Sequence, residues 1–234
     1  MTWRDDALNH ATAEMPREAC GLLIVRKGRE VYRPCRNIGV GDDQFIINPD
    51  DYEAAQAEGE ITGVVHSHVH IPAMPSQADL VGCEKSGLEW HIVSVPNGAW
   101  HTFRPTGYVA PLVGRVFSHG VLDCYAIIRD WYSQERGIEL LDFNRSDQWW
   151  HQGGNLYLDN FGKAGFEVCD ELHEGAVLLM QIGAPVPNHA AIYLGDDMIL
   201  HHVQGRLSSR DVFGGYWRKC TTHILRHTNE NRHS

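Results

Sequence analysis

The chain has 234 residues, of which 43% are hydrophobic and 21% are charged, so it is long enough for one large core or two small ones. Its 20 basic and 30 acidic side chains give a formal net charge of −10, which excludes a global basic footprint, so we expect no nucleic-acid partner. The sequence has no run of 18 apolar residues, so no transmembrane segment is predicted, and the polar N-terminus is not expected to be a secretory signal.

The first half has the pattern of a mixed α/β domain. Helical periodicity and capping residues predict helices over about 3–14, 49–58 and 76–86. Short apolar runs predict strands over 22–25, 31–32, 45–47 and 61–68, and a hairpin over 90–104. The proline-containing segment 105–111 indicates a domain boundary, which we place between domains 1–106 and 107–234.

The second half is predicted to begin with helices and to end with strands. Helices are expected over about 122–135 and 155–164. Strands are expected over 176–181, 189–194 and 198–202. This order predicts an α+β domain. The six cysteines of the chain include no Cys-x-x-Cys pair, and without an export signal they are expected to be reduced thiols.

Residues 66–79 contain a candidate metal site. His66 and His68 lie two apart on a predicted strand, so both side chains point to the same face, and Asp79 follows after a turn. Three protein ligands with an open fourth position are typical of catalytic zinc, and Glu18 is the candidate base. A second interpretation needs no metal, because Ser76-x-x-Asp79 also matches a helix capping box. We expect His70 to be a bystander.

This pattern resembles the JAMM (MPN+, Mov34) metalloprotease family, whose motif is an early glutamate followed by His-x-His-x₇-Ser-x-x-Asp. The resemblance covers about residues 5–104 and implies a JAMM-like mixed α/β fold. By it, the ligands of Zn²⁺ would be His66, His68 and Asp79. Glu18 would be the general base and acid. Ser76 would help to stabilise the oxyanion.

Residues 123–202 contain a candidate thiol site. Cys124 lies at the predicted N-terminus of a helix, where unpaired N–H groups and the helix dipole are expected to lower its pKa. His189 is the candidate base, and His201 or the adjacent His202 is the candidate to orient it. The alternative is a structural one, in which Cys124 is a small core residue and Asp123 is a helix cap.

The thiol segment resembles the NlpC/P60 cysteine peptidase family over about residues 111–220. The resemblance implies a papain-like α+β fold, Cys124 as nucleophile, His189 as base and His201 as the residue that orients His189. It also implies peptide stems of bacterial peptidoglycan as the substrate. The family often has an upstream tyrosine that helps to form the oxyanion hole, and this chain has Phe117 there, which carries no hydroxyl.

Both domains in this order resemble a tail-tip assembly family of lambda-like tailed phages. That resemblance implies phage tail-tip proteins as partners and a peptidase made in the host cytoplasm, carried on the virion tail and acting at the host cell wall. Two alternatives are a structural assembly factor with weak or no catalysis and a cellular isopeptidase.

Overall fold

The computed structural model describes residues 2–145 and 148–229, and the chain divides into two compact units, Met1–Val109 and Ala110–Ser234. The first unit extends slightly past residue 106, because the Glu84 carboxylate accepts hydrogen bonds from the backbone N–H groups of Thr106 and Tyr108. Within the described residues the longest helix has 12 residues, and no helix combines the length and apolar character needed to cross a bilayer.

The first unit is built from three helices and five strands in its described residues. They are α1 (Trp3–Glu14), β1 (Cys20–Arg26), β2 (Arg29–Cys35), α2 (Pro49–Glu58), β3 (Glu60–Val69), α3 (Gln77–Ser86), β4 (Glu89–Val95) and β5 (Ala99–Phe103). The side chains of Thr2, Asn48 and Ser76 cap the three helices by accepting backbone N–H groups of the first turn. These local caps explain why the helix starts are readable from the sequence.

The sheet of the first unit has the strand order β2-β1-β3-β4-β5 and is covered on both faces. Strands β3 and β4 run parallel, with α3 as the crossover between them, and the other neighbours are antiparallel. Helix α1 packs on one face through Ala7 and Ala11, while α2 and α3 pack on the other through Ala55 and Cys83. The predicted mixed α/β fold is confirmed, and β3 lies at the centre of the sheet.

The strand predicted over 45–47 is wrong. These residues lie in a loop, in which Ile47 forms an isolated bridge with Asn37. Backbone pairing is limited to the hydrogen bonds Ile38 N–H to Ile46 O and Asn48 N–H to Arg36 O. The Asn37 side chain supplies the rest, since it donates to the carbonyl of Gln44 and accepts from the N–H of Ile46. Once a side chain satisfies these backbone groups, three apolar residues do not need a neighbouring strand.

The second unit is built from three α-helices and six strands in its described residues. They are α4 (Cys124–Trp131), α5 (Leu156–Asn160), β6 (Phe166–Cys169), β7 (Val177–Met180), β8 (His189–Gly195), β9 (Met198–His201), β10 (Ser209–Val212), α6 (Gly215–Cys220) and β11 (Thr221–His227). The sheet has the order β10-β9-β8-β7-β11-β6, and its paired strands are antiparallel. The predicted α+β class is confirmed.

The two faces of this sheet carry separate cores. Ile128 of α4 packs with Leu179 and Ile192 on one face. Trp217 of α6 packs with Met180 on the opposite face. The first of these cores holds α4 across the sheet, so that the N-terminus of the helix lies over the start of β8.

The helices and strands of the second unit differ in length from the predicted ones. The helix predicted over 122–135 begins at Cys124 and passes into a π-helical turn, Tyr132–Arg136. The helix predicted over 155–164 ends at Asn160. Three strands were not predicted: β11, which lies inside the sheet, and β6 and β10, which form its two edges. The edge strands alternate polar and partly exposed residues and give no apolar run.

Gly21 in β1 leaves no room for a side chain. A Cβ atom there would lie 2.5 Å from the Tyr32 ring and 2.6 Å from the carbonyl oxygen of Arg33 in β2. We expect Gly21→Ala to lower the free energy of unfolding by about 2–3 kcal/mol, because β2 must move. Gly87→Ala is the control, since its Cβ meets nothing within 4 Å and only the φ of 68° opposes it, at a cost of about 1 kcal/mol. Urea unfolding measures both variants, and equal costs would contradict the steric argument.

Candidate metal centre and cysteine site

Strand β3 places the two predicted histidine ligands side by side. His66 and His68 point to the sheet face that α3 covers, while Val65, which precedes His66, packs on the α1 side. The two imidazoles are buried, and their Nε2 atoms lie 3.3 Å apart. The His66 ring is held by Phe45, which stacks on it, and by Trp90, which meets it edge-on.

Helix α3 brings Asp79 to the two histidines. Its carboxylate Oδ1 lies 3.2 Å from His66 Nε2, and Oδ2 lies 3.4 Å from His68 Nε2. Across residues 2–145 and 148–229, these three side chains form the group of His, Cys, Asp or Glu residues that is close enough to hold a metal ion. The structure therefore brings the predicted ligand set together.

The spacing of the donor atoms fits a tetrahedral zinc ion. Ligands at about 2.0–2.1 Å from such an ion lie about 3.3–3.4 Å from one another. The two Nε2 atoms are 3.3 Å apart, and each lies 3.2 or 3.4 Å from one oxygen of Asp79. The His68 Nδ1–H donates to the carbonyl of Pro72 at 2.9 Å, and this leaves its Nε2 unprotonated for a metal. His66 Nδ1 has no hydrogen-bond partner among the described residues.

The charges in this group favour binding a cation. Burial opposes ionisation of Asp79, but the His66 imidazole and hydrogen bonds from the histidines and Ser76 hold the pKa of this carboxyl well below its usual range. Burial disfavours the charged form of His68, yet contacts with Asp79, Pro72 and Glu18 raise its pKa overall. A carboxylate that stays ionised beside two imidazoles is the donor set that Zn²⁺ takes in proteins.

Glu18 lies beside the three candidate zinc ligands, His66, His68 and Asp79, and is not one of them. Its Oε1 is 4.0 Å from His68 Nε2, and the residue is buried in the segment that precedes β1. The Asn37 amide donates to the Glu18 carbonyl, and the Ser67 hydroxyl of β3 accepts from the Ala19 N–H, so both sides of the segment are tied. Burial raises the pKa of Glu18 to about 8, as expected for a carboxyl that exchanges protons near neutral pH.

The capping box predicted as the alternative is present together with the metal group. Ser76 Oγ accepts from the Asp79 N–H at 3.1 Å, and the Asp79 carboxylate accepts from the Ser76 N–H at 2.7 Å. Ser76 itself is exposed at the start of α3. His70 is exposed and lies outside the group of ligands.

A cleft in the second unit contains the predicted nucleophile and base. Cys124 is the first residue of α4, and His189 is the first residue of β8. Both line the cleft, and the backbone N–H of Ala190 donates to the Cys124 sulfur. The packing of α4 on β8 therefore brings together two residues that are far apart in the sequence.

A row of side chains continues from His189 to a carboxylate. His189 Nε2 lies 3.1 Å from His201 Nδ1, and His201 Nε2 lies 3.2 Å from Asp211 Oδ2. His201 contacts His189 across the paired strands β8 and β9. His202 also lines the cleft, but its ring meets Phe117 edge-on at 5.1 Å, and the hydrogen-bond contact of His189 is with His201. The geometry thus selects His201 over His202 as the neighbour of the base.

The row sets which nitrogen of each ring carries a proton. A carboxylate oxygen can only accept, so the 3.2 Å contact with Asp211 favours a proton on Nε2 of His201. Neutral His201 then accepts at Nδ1 from the Nε2–H of His189. This leaves His189 Nδ1 unprotonated and available as a base. Burial and the neighbouring His201 and His202 lower the pKa of His189 to about 3, so the ring is neutral at pH 7.

The predicted lowering of the Cys124 pKa is wrong. Burial raises the pKa of this thiol to about 11, and the adjacent Asp123 carboxylate raises it further. Asp123 also accepts the N–H groups of Tyr125 and Ala126, which are the groups that were expected to stabilise a thiolate. The Asp123 cap and the Cys124 sulfur both lie at the N-terminus of α4, and the backbone N–H groups there donate to Asp123. Arg145 neutralises Asp123 through a 2.8 Å contact.

Two residues of the site were missed by the sequence analysis. The Tyr157 hydroxyl lies 3.1 Å from the Cys124 sulfur, and Asp211 completes the row behind His201. Tyr157 lies on the five-residue helix α5, and Asp211 lies on the unpredicted edge strand β10. Pairing of β10 with β9 is the signal that places Asp211, and the sequence does not show that register.

Two family models match the chain. One, described as prokaryotic homologs of the JAB domain, matches residues 2–106, and the other, the NlpC/P60 family, matches residues 114–226. A tail tip assembly protein K from Escherichia phage N15 is 39% identical over 227 residues, which cover 95% of this chain and 93% of the relative. The protein of the same name from Escherichia phage lambda is 43% identical over 183 residues, which cover 77% and 89%. A desampylase from Pyrococcus furiosus is 32% identical over 83 residues, which cover 33% and 59%.

The folds and the two clusters of side chains thus define a protein with a JAB domain followed by an NlpC/P60 domain, both of them peptidase-type families. The resemblances found in the sequence and the fold class drawn from them are confirmed. The chain belongs to the tail tip assembly protein K family.

The metal group predicts how two variants should bind zinc. We expect about one Zn²⁺ per wild-type chain, because three donor atoms surround one point. His68→Ala should lose the ion, since two ligands hold zinc poorly against water. Glu18→Gln should keep it, because Glu18 lies outside the group. Elemental analysis after gel filtration measures the zinc content. Equal loss in both variants would make Glu18 a ligand, and a zinc-free wild type would remove the metal site.

Proposed function

We propose that the protein is a phage tail-tip peptidase with two active sites. The NlpC/P60 domain cleaves the peptide stems of bacterial peptidoglycan with Cys124, His189 and His201. The JAB domain hydrolyses an amide or isopeptide bond with zinc. The observation that carries this proposal is the row that runs from His189, in the cleft that holds Cys124, to His201 and Asp211, because it prepares a neutral base in the cleft of the thiol.

The cysteine site carries out acyl transfer. The Cys124 proton passes to His189 Nδ1 while the sulfur bonds to the substrate carbonyl carbon, and the carbonyl π electrons move to the oxygen. When the carbonyl re-forms, the C–N bond breaks, and the leaving nitrogen takes the proton from His189. Water then gives a proton to His189 Nδ1 and attacks the acyl group. The S–C bond breaks, and the sulfur recovers its proton.

His201 and Asp211 act on this reaction through His189. His201 accepts the Nε2–H of His189 and holds its ring, while Asp211 keeps the His201 proton on Nε2. The Trp217 ring meets His201 edge-on at 4.5 Å and limits its rotation. His201 and Asp211 therefore position the base, His189, and touch no reacting atom.

The zinc site uses its residues differently. When bound, zinc is a Lewis acid that activates a water molecule, and His66, His68 and Asp79 are the residues that hold it. Glu18, whose Oε1 lies 4.0 Å from His68 Nε2, would be the group that exchanges protons with the water and with the leaving nitrogen. The Ser76 hydroxyl accepts the cap hydrogen bond, so its own proton stays available for an oxyanion.

The family gives this chemistry a setting. Relatives named tail tip assembly proteins support tail-tip proteins as partners and a place on the virion tail after assembly in the host cytoplasm. A peptidase carried there meets the cell wall during entry. A purely structural role in assembly is the competing function, and the experiments below separate the two.

Cell-wall digestion tests the cysteine site directly. Wild-type protein should release peptide fragments from purified bacterial sacculi, and Cys124→Ala should abolish the release because the nucleophile is lost. Cys220→Ala is the matched control, since this free cysteine lies outside the cleft. His68→Ala should leave the release intact. Chromatography of the released peptides measures all four proteins.

Three outcomes would contradict the proposal. Full release by Cys124→Ala would exclude a thiol mechanism. Loss of release in His68→Ala, with zinc absent and the fold intact, would move the cell-wall activity to the first unit. No release by the wild type would favour the structural role.

Asp211→Asn tests the positioning row. An amide that faces His201 can donate, which favours the wrong tautomer of His201 and places a proton on His189 Nδ1. We expect kcat on sacculi to fall about a hundredfold with little change in KM. Asp197→Asn is the control, because this carboxylate is exposed and pairs with Arg218. Unchanged kcat in Asp211→Asn, or an equal fall in the control, would remove Asp211 from the mechanism.

A further inference from the structure

We propose that Tyr157 is a catalytic residue of the cysteine site. Its hydroxyl donates to the Cys124 sulfur when the proton leaves, and then to the substrate oxygen that gains negative charge in the tetrahedral intermediate. This inference rests on the proposed acyl transfer at Cys124. Tyr157 would be the hydroxyl donor to the oxyanion, because Phe117 in the same cleft has no hydroxyl.

The contact between the two residues is direct and fixed. The Tyr157 oxygen lies 3.1 Å from Cys124 Sγ, within hydrogen-bonding reach for sulfur. The ring is held edge-on by Tyr125 at 6.4 Å and by Trp149 at 6.0 Å, measured between ring centroids. A hydroxyl held this close to the nucleophile also lies close to the oxygen of a carbonyl that bonds to the sulfur.

Two other polar side chains that line the cleft have hydrogen-bond partners of their own. Arg145 donates to the Asp123 carboxylate and to the Gly120 carbonyl. Asn188 exchanges two hydrogen bonds with the backbone of Ile182. Phe117 lines the same cleft and has no polar atom in its side chain. The Tyr157 hydroxyl is a side-chain donor in direct contact with the sulfur, where the new charge forms.

The helix end does not supply the same help. The Asp123 carboxylate occupies the N–H groups of Tyr125 and Ala126 in the first turn of α4. These two N–H groups donate to the Asp123 carboxylate and are not available to a substrate in the cleft. Donors to a negative charge at this site come from other elements: the Ala190 N–H of β8 donates to the sulfur, and the Tyr157 hydroxyl of α5 adds a side-chain donor.

The reaction keeps Tyr157 neutral throughout. Burial and the nearby Cys124 raise the pKa of the Tyr157 hydroxyl well above its usual value, so it keeps its proton. The moving proton is the one that leaves Cys124 for His189 and then reaches the leaving nitrogen. Tyr157 contributes a hydrogen bond that is strongest while the substrate oxygen carries the electron pair of the former carbonyl π bond.

Two reagents separate the two parts of this role without any cell-wall substrate. Iodoacetamide alkylates the thiolate by displacement and forms no oxyanion. The ester p-nitrophenyl acetate acylates the same sulfur through a tetrahedral oxyanion. Mass spectrometry of the Cys124 peptide and release of nitrophenol measure the two rates at pH 8.

Tyr157→Phe should slow the two reactions by different factors. Alkylation should fall about tenfold, because the thiolate loses one hydrogen bond to a charged group. Acylation should fall by about a further hundredfold, which is typical of removing one oxyanion donor. Tyr132→Phe is the matched control, since it removes another buried tyrosine hydroxyl of this unit, one that donates to the Gly175 carbonyl. The control should leave both rates within about twofold of wild type.

The outcomes separate this inference from the proposed function. Equal slowing of both reactions in Tyr157→Phe, or slowing of neither, overturns the oxyanion role. An equal effect in Tyr132→Phe overturns it too, because the cause would then be a loosened fold. If wild type releases nothing from sacculi while the unequal slowing is observed, the cell-wall function fails and the role of Tyr157 stands.

Discussion

Both sites depend on one constraint, a helix N-terminus packed across strands that carry histidines. In the first unit, α3 brings Asp79 to the two histidines of β3. In the second, α4 brings Cys124 to the start of β8. Strand alternation decides which histidines face the helix, and the helix cap decides where its first side chains lie. Packing of the helix on the sheet is therefore what assembles each site.

The two capping carboxylates serve the sites in opposite ways. Asp79 closes the box with Ser76 and still presents both oxygens to His66 and His68, so the cap orients a ligand. Asp123 takes the donors of the first turn of α4 and adds a negative charge beside the thiol. A helix dipole stabilises an anion only where its N–H groups stay free. The second site consequently depends on side-chain donors and on a neutral base.

Much of the first site is predictable from the sequence because its parts are local. His66, His68, Ser76 and Asp79 lie within one strand, one turn and one helix, so periodicity and capping place them relative to each other. The second site is less local. Residues 124, 189 and 201 were identified by resemblance, and the choice between His201 and His202 needed the pairing of β8 with β9.

The residues that sequence analysis missed share a physical reason. Asp211 lies on an edge strand whose polar, half-exposed residues give no periodic signal. Tyr157 lies on a helix that the sequence does predict, but helical periodicity does not show that its hydroxyl meets Cys124, 33 residues away in the chain. The same limit explains the strand wrongly expected over 45–47, where Asn37 satisfies the backbone. Contacts that depend on strand register or on a side-chain hydrogen bond form only when the chain folds, so the sequence pattern does not predict them.

The resting state of the cysteine site follows from these competing charges. With the pKa of Cys124 raised to about 11 and that of His189 lowered to about 3, both groups are neutral at pH 7. A thiol reacts slowly with alkylating agents and oxidants, because the thiolate is the nucleophilic form. The charge then has to develop as the substrate carbonyl is attacked, when the sulfur proton moves to His189. Donors that meet the charge at that moment, rather than groups that hold a thiolate at rest, are what such a site requires.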